Sequence, residues 1–350
     1  MVTALDPSSG TARSISFDGD RNVLLMGGYS PATQVAYCTA THRFLQWCDE
    51  HYGGHLSLGG ARNYRRLDRA LSEYMVELWF DNVGKAEASR TFYGLEMLIP
   101  GIKQHLPRAK RSLRGYERLA PSKQRPPMPL PVAAALAVWL AGSGKFSMCL
   151  AILLSFECYL RSGEMLRLIR KDFALGTDSR LGFTGGTAAS RLFVNIQRAK
   201  TGKFQGVEVR DPQVKAITLA YLERLQPEAK VFPFSKSTYY RWFHHGCSAL
   251  SLSSEYVPHS LRHGAATRDY SDNNVPIADV MVRGRWAATK SALHYIQQGR
   301  QLMMAHQVPP HIDALGRLFL GDLRGFIALA QAARRNAQSF PSIRSRRARK

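Results

Sequence analysis

Arg161, Lys200, His259, Arg262, Trp286 and Tyr295 follow one another along the chain in an order that could act on a phosphodiester. A phenol ionises only near about pH 10, so it attacks well only if its proton is taken up as the bond forms. Attack loads negative charge onto the nonbridging oxygens, and two guanidinia can meet it with forked hydrogen bonds worth about a few kcal/mol each. A lysine can protonate a basic leaving oxygen, and an imidazole can move a proton at the phenol or the phosphate. An indole donates one hydrogen bond and exchanges no proton near neutrality, so Trp286 would hold or pack rather than act as acid or base. Such a set could cut and rejoin a phosphodiester with no metal or other cofactor.

Each position alone says little, because arginines after helices usually cap them and tyrosines on amphipathic helices usually pack. Context adds weight. Tyr159-Leu160-Arg161-Ser162-Gly163-Glu164 follows an apolar helix and opens another, which places Arg161 beside a helix N-terminus, with Glu164 able to hold the site's cations. Ala199-Lys200-Thr201-Gly202 forms a hairpin tip, with Lys203 just past it. His259 and Arg262 follow Pro258 on one helical face, and Gly284-Arg285-Trp286 precedes a helix, expected over 288–298, that carries Tyr295. His259 and His263 lack the glutamate of a zinc-protease helix, His263 reads as a core histidine, and His244, His245 and Cys247 lack a fourth ligand; no metal is expected. Tyr256 and Tyr270 are rival nucleophiles less well placed than Tyr295, and His294 reads as incidental.

The elements that must position these residues are mostly helical. Residues 1–28 read as a disordered leader without a signal-peptide apolar region. Ser30 and Pro31 start a helix bearing Tyr37, Phe44 and Trp47; further helices over about 66–80 and 87–99 complete an all-helical domain, 29–106. Segment 107–131 is basic and proline-rich, reads as an exposed linker, and supplies candidate DNA contacts at Arg108, Lys110, Arg111, Arg114, Lys123 and Arg125, with Lys203 beyond it. Helices over about 132–141, 146–159 and 164–171 follow, then a hairpin from alternating Leu192, Val194, Ile196 and Val207, Val209, then helices to a final one over 313–333. Domain 132–335 is thus mainly α with a small β-sheet, an α+β fold, and 336–350 reads as a basic disordered tail.

Composition agrees with a polyanionic partner. Lys and Arg number 48 against 26 Asp and Glu, a formal net charge of +22 that draws nucleic acid. Five scattered cysteines without a C-x-x-C pair argue against a disulfide framework or zinc ribbon and for a reduced, intracellular setting. The longest apolar run, 146–156, is short of the roughly 20 residues needed to span a bilayer.

On Leu160-Arg161-Ser162-Gly163-Glu164, Lys200-Thr201-Gly202, His259-x-x-Arg262, Trp286 and Tyr295, the chain resembles the tyrosine recombinase/integrase family over about residues 30–335, most densely from Pro258 to Ile296. That group includes the phage Cre recombinase, which also has tryptophan where most members have a second histidine. The resemblance implies a helical core-binding domain and a catalytic domain clamping DNA. It also implies Arg161 and Arg262 as catalytic arginines, Lys200 as the hairpin lysine, His259 in the His-x-x-Arg box, Trp286 in the second-histidine place and Tyr295 as nucleophile. Glu164 and His263 are supporting residues. The implied activity is site-specific strand cleavage and rejoining through a 3′-phosphotyrosine, free of ATP, by a tetramer on synapsed double-stranded DNA and a monomer off it. A type IB topoisomerase-like enzyme and an inactive DNA-binding relic of a mobile element are the alternatives.

Overall fold

The computed structural model describes residues 27–53, 61–120, 125–176, 178, 190–199 and 202–339. Its backbone divides into two compact units, 1–123 and 124–350.

In the first unit, α1 (Pro31–Tyr52) begins as expected: the Ser30 hydroxyl accepts from the Thr33 amide at 3.2 Å, and Pro31 needs no donor in the first turn. Gly53 ends it in the left-handed region at φ 62°. Phe44, Trp47 and Cys48 face α2 (Ala61–Phe80), whose Leu67, Leu71, Tyr74 and Met75 fill the core with Ala88, Phe92 and Leu95 of α3 (Ala86–Leu98). Helical spacing turns one face of each helix inward.

Segment 107–131 departs from the exposed linker expected of it. Its first half is α4 (Pro107–Leu119), packed on α2 through Ala109, Leu113 and Tyr116. Buried Asp68 of α2 caps it from afar, accepting from the amides of Arg108 at 3.0 Å and Ala109 at 2.8 Å. Arg108, Lys110, Arg111, Arg114 and Arg118 are left on the exposed face. Lys123 lies outside the described residues, and Arg125 is exposed.

Pro126 to Pro129 then lie buried in the second unit, where the Met128 amide donates to the Ser260 carbonyl at 3.0 Å. The proline run fixes an extended strap. It crosses α10 (Pro258–Ser271) at Gly264, where a Cβ would sit 1.9 Å from the Met128 carbonyl oxygen.

The core of the second unit is built on α5 (Leu130–Gly142) and α6 (Phe146–Glu157), buried nearly all round. Alanines 133, 134, 135 and 137 of α5 let neighbouring helices approach closely. Where a helix over 164–171 is expected, the chain forms only the short α7 (Ser162–Met165) and a 3-10 turn at Arg170–Asp172, and strand β1 (Phe173–Leu175) follows. β1 pairs antiparallel with β2 (Leu192–Ala199), and β2 with β3 (Gly202–Val209), in the order β1-β2-β3. Val194 stands opposite Phe173 and Val207, and Leu192 opposite Val209, so the alternation read from the sequence buries one face.

Helices α8 (Pro212–Leu222) and α9 (Lys236–Ala249) precede α10, followed by α11 (Ile277–Gly284), α12 (Thr289–Leu293) and α13 (Gln298–Ala305). The expected helix over 313–333 is two helices, α14 (Pro310–Gly321) and α15 (Leu323–Ser339), broken at Asp322, whose φ is −144°. Both pack on α5 of the same chain, with Leu323 and Ile327 buried. No described helix is long and apolar enough to cross a membrane.

Candidate functional site

The site forms where α6 ends. The last carbonyls of a helix lack partners within it, and here arginines take them. Chain reversal at Tyr159, with φ at 52°, turns these carbonyls toward α10 and α11. Arg283 donates through Nε and Nη2 to the Glu157 carbonyl at 3.2 and 2.5 Å. Arg285 donates to the carbonyls of Cys158 at 3.2 Å and Tyr159 at 2.9 Å. Arg262, fully buried, donates to the Tyr159 carbonyl and, at 2.5 Å, to that of Gly284.

Arg161 caps α7. Its backbone amide donates to Glu164 Oε2 at 2.9 Å and its Nη1 to Glu164 Oε1 at 2.5 Å. Glu164 is buried and also accepts from Arg285 Nη2 at 2.8 Å, so one carboxylate holds two guanidinia. Burial pushes the Glu164 carboxyl up, but Arg285 and then Arg161 outweigh it, and the group ends below its ordinary value. Arg262 is shifted down, chiefly by burial and then by Arg161 and Arg285. The crowding of like charge between Arg161 and Arg262 marks a place that a phosphate would stabilise.

Tyr295 stands against this cluster. Its ring centroid is 4.7 Å from that of Trp286, 5.4 Å from His259 and 5.1 Å from Arg262 Cζ, and Arg262 Cζ lies 4.6 Å from the Trp286 ring. The buried indole Nε1 has no hydrogen-bond partner among the described residues. His259 is pushed down to about 4 by burial, then by Arg262 and Arg161, so it is neutral at pH 7. Tyr295 lies not on the helix expected over 288–298 but in the turn between α12 and α13. Thr267 of α10 makes that turn: its hydroxyl donates to the Tyr295 carbonyl at 3.1 Å and accepts from the Gln297 amide at 3.1 Å.

His259, Arg262, Trp286 and Tyr295 are therefore brought together, and Arg161 joins them through Glu164, Arg285 and the Tyr159 carbonyl. His263 is buried as expected, yet it also stacks on Tyr295 at 4.5 Å, with Gln297 Nε2 at 3.0 Å from its Nδ1. His294, read as incidental, packs edge-on to both rings. Lys200 lies outside the described residues, and the backbone of Lys203 is in β3.

The fold has counterparts among solved structures. The Tn1549 transposon integrase (residues 82 to 397) in complex with circular intermediate DNA matches with a TM-score of 0.53 and 11% identity, over 81% of this chain and 96% of that one. The same integrase with transposon right end DNA also gives 0.53 and 11%, over 82% and 97%. This chain has the tyrosine recombinase fold. XerA recombinase, at 15% identity over 78% of this chain and 99% of that one, has a TM-score of 0.39. No protein-family model matches the chain, and no curated protein sequence does.

Within the tyrosine recombinase fold, three residues of this site escaped the sequence reading. Thr267 continues the stripe of His259 and His263 at helical spacing, a signal that was legible. Arg283 and Arg285 carried none, since arginine is rarely buried and their partners, backbone carbonyls and the carboxylates of Glu157 and Glu164, are far along the chain.

Proposed function

We propose that this protein is a DNA strand transferase of the site-specific recombinase type. The observation carrying this reading is the convergence of Arg262, His259 and Trp286 on Tyr295, with Arg161 tied to Arg262 through Glu164, Arg285 and the Tyr159 carbonyl. Tyr295 Oη attacks a backbone phosphorus, forming a 3′-phosphotyrosine as the bond to the 5′ oxygen breaks. Arg161 and Arg262 meet the charge on the nonbridging oxygens, and the Trp286 Nε1 proton is available to one of them. Neutral His259 is in the form that can take the phenolic proton. Lys200, at the hairpin tip of the sequence, is assigned the proton delivered to the leaving oxygen. Because the phosphodiester is conserved in the tyrosyl ester, a second 5′ hydroxyl reverses the step without ATP or added cofactor.

The exposed cations of α4, Arg108, Lys110, Arg111 and Arg114, together with Lys123, Arg125 and Lys203, are assigned to DNA backbone contacts. Exchange between two duplexes calls for two protomers on each, hence a tetramer on double-stranded DNA, and the protein's place in the cell is with DNA. Fold likeness to an integrase solved with DNA supports the reading.

The deciding experiment offers nicked suicide duplexes with a randomised central segment, recovers DNA bound through denaturation, and sequences it. A covalent adduct with the wild type that vanishes in Tyr295→Phe is expected. An adduct persisting in that variant moves the nucleophile elsewhere, and none with the wild type removes the activity.

A further inference from the structure

Glu164 and Arg285 form an ion pair at 2.8 Å with side chains only 2% and 3% exposed. Burying such a pair is costly, and a well-packed apolar pair often serves stability as well or better. The backbone adds to the cost, because Arg285 sits at φ 57°, the left-handed region glycine occupies freely and a side chain does not. Two unfavourable choices at one residue persist where the side chain is needed.

Its contacts say for what. Through Glu164 it shares a carboxylate with Arg161, and through the Tyr159 carbonyl it shares an acceptor with Arg262. Arg285 is thus one step from each of the two guanidinia assigned to the phosphate, joined to both through fixed oxygens. Without it, the second Glu164 oxygen would be left with the Arg161 backbone amide alone, free to draw the Arg161 guanidinium down into the carboxylate. The Tyr159 carbonyl would lose one of its two guanidinium donors.

We propose that Arg285 is a positioning residue for strand cleavage: by gripping Glu164 and the Tyr159 carbonyl together, it sets the aim of Arg161 and Arg262 relative to one another. The inference rests on the reading of those two arginines as phosphate ligands. A displacement of about 1 Å at a reacting centre costs roughly a hundredfold in rate.

The test compares wild type, Tyr295→Phe, Arg285→Gly and Arg285→Lys on one duplex recovered by covalent capture, measuring duplex affinity and the single-turnover cleavage rate at saturating DNA. Arg285→Gly removes the guanidinium and suits the backbone at that position. Its cleavage is expected to fall by about a hundredfold with duplex affinity within about threefold of wild type. Arg285→Lys, which reaches Glu164 but cannot also fork to the carbonyls, should fall between. Arg285→Gly cleaving at the wild-type rate overturns the assignment, as does an equal loss of affinity and rate. Should Arg285→Gly fail to unfold cooperatively, folded Arg285→Lys decides: a slowed rate supports the role and an unchanged rate refutes it. A wild-type adduct abolished in Tyr295→Phe keeps the functional reading standing when this one falls; without that adduct, both fall.

Discussion

Gly264→Ala tests whether the strap 126–129 and α10 are held in contact by the absence of one methyl group. The added Cβ would lie 1.9 Å from the Met128 carbonyl oxygen and 2.8 Å from its carbon, and both are backbone atoms that cannot swing aside. Reaching ordinary contact requires a shift of about 1.5 Å. That breaks the Met128 amide bond to the Ser260 carbonyl, worth about 1 kcal/mol, and lifts part of the Met128 side chain from complete burial, worth about 2 kcal/mol in full. Alanine's helix propensity returns about 1 kcal/mol. The net is about 1–2 kcal/mol of destabilisation, and for a unit of this size the melting temperature should fall by about 2–8 °C. Gly299→Ala, in α13 with nothing within 4 Å of the new methyl, is the matched control and should be neutral or slightly stabilising. Thermal and urea unfolding of both variants supplies the measurement. If Gly264→Ala unfolds within about 0.5 kcal/mol of wild type, the contact is not what seats the strap.

In the first unit, Asp68→Ala removes the acceptor of two α4 amides and should cost about 1–2 kcal/mol, read as an earlier unfolding midpoint by circular dichroism; an unchanged midpoint would show the cap to be idle. His259 is held near about 4 and His263 near about 3, each mainly by burial, against about 6.5 in the unfolded chain. Both shifts are downward, so the unfolded state binds more protons between those values. Stability is therefore complete above about pH 6.5 and lost as pH falls toward about 3, by about 2 kcal/mol for each ring, on the order of 4 kcal/mol together, at pH 5. Urea midpoints across that range should show the slope, and His263→Gln should remove about half of it; a flat profile would contradict the burial of these rings.

Features built from local residues were legible. Ser30 and Pro31 mark a helix start because cap and first turn are neighbours, and the β2–β3 hairpin shows because alternation is a local period. What failed was set by distant partners. The helix expected over 288–298 ends at Leu293, and beyond it Tyr295 and Gln297 are tied to α10 through the Thr267 hydroxyl. Segment 107–131 carries the proline and charge of a linker, but Asp68 nucleates a helix in its first half and Gly264 opens a seat for its second. β1 is three residues long, too short for any period to show. At the site, residue type and order singled out His259, Arg262, Trp286 and Tyr295, which lie together, whereas the buried Arg283 and Arg285 were invisible because their acceptors, backbone carbonyls and the carboxylates of Glu157 and Glu164, lie more than a hundred residues away in sequence.

The arginines gathered at the end of α6 bear on how ionic strength would act. A cation already desolvated against protein carbonyls carries no mobile anion, so it has none to release when a polyelectrolyte arrives. Added salt would therefore weaken the encounter through the solvent-facing charges of α4, while the inner guanidinia kept their strength. On the proposed reading, salt would then weaken contacts made by solvent-facing charges and leave those made through the buried guanidinia.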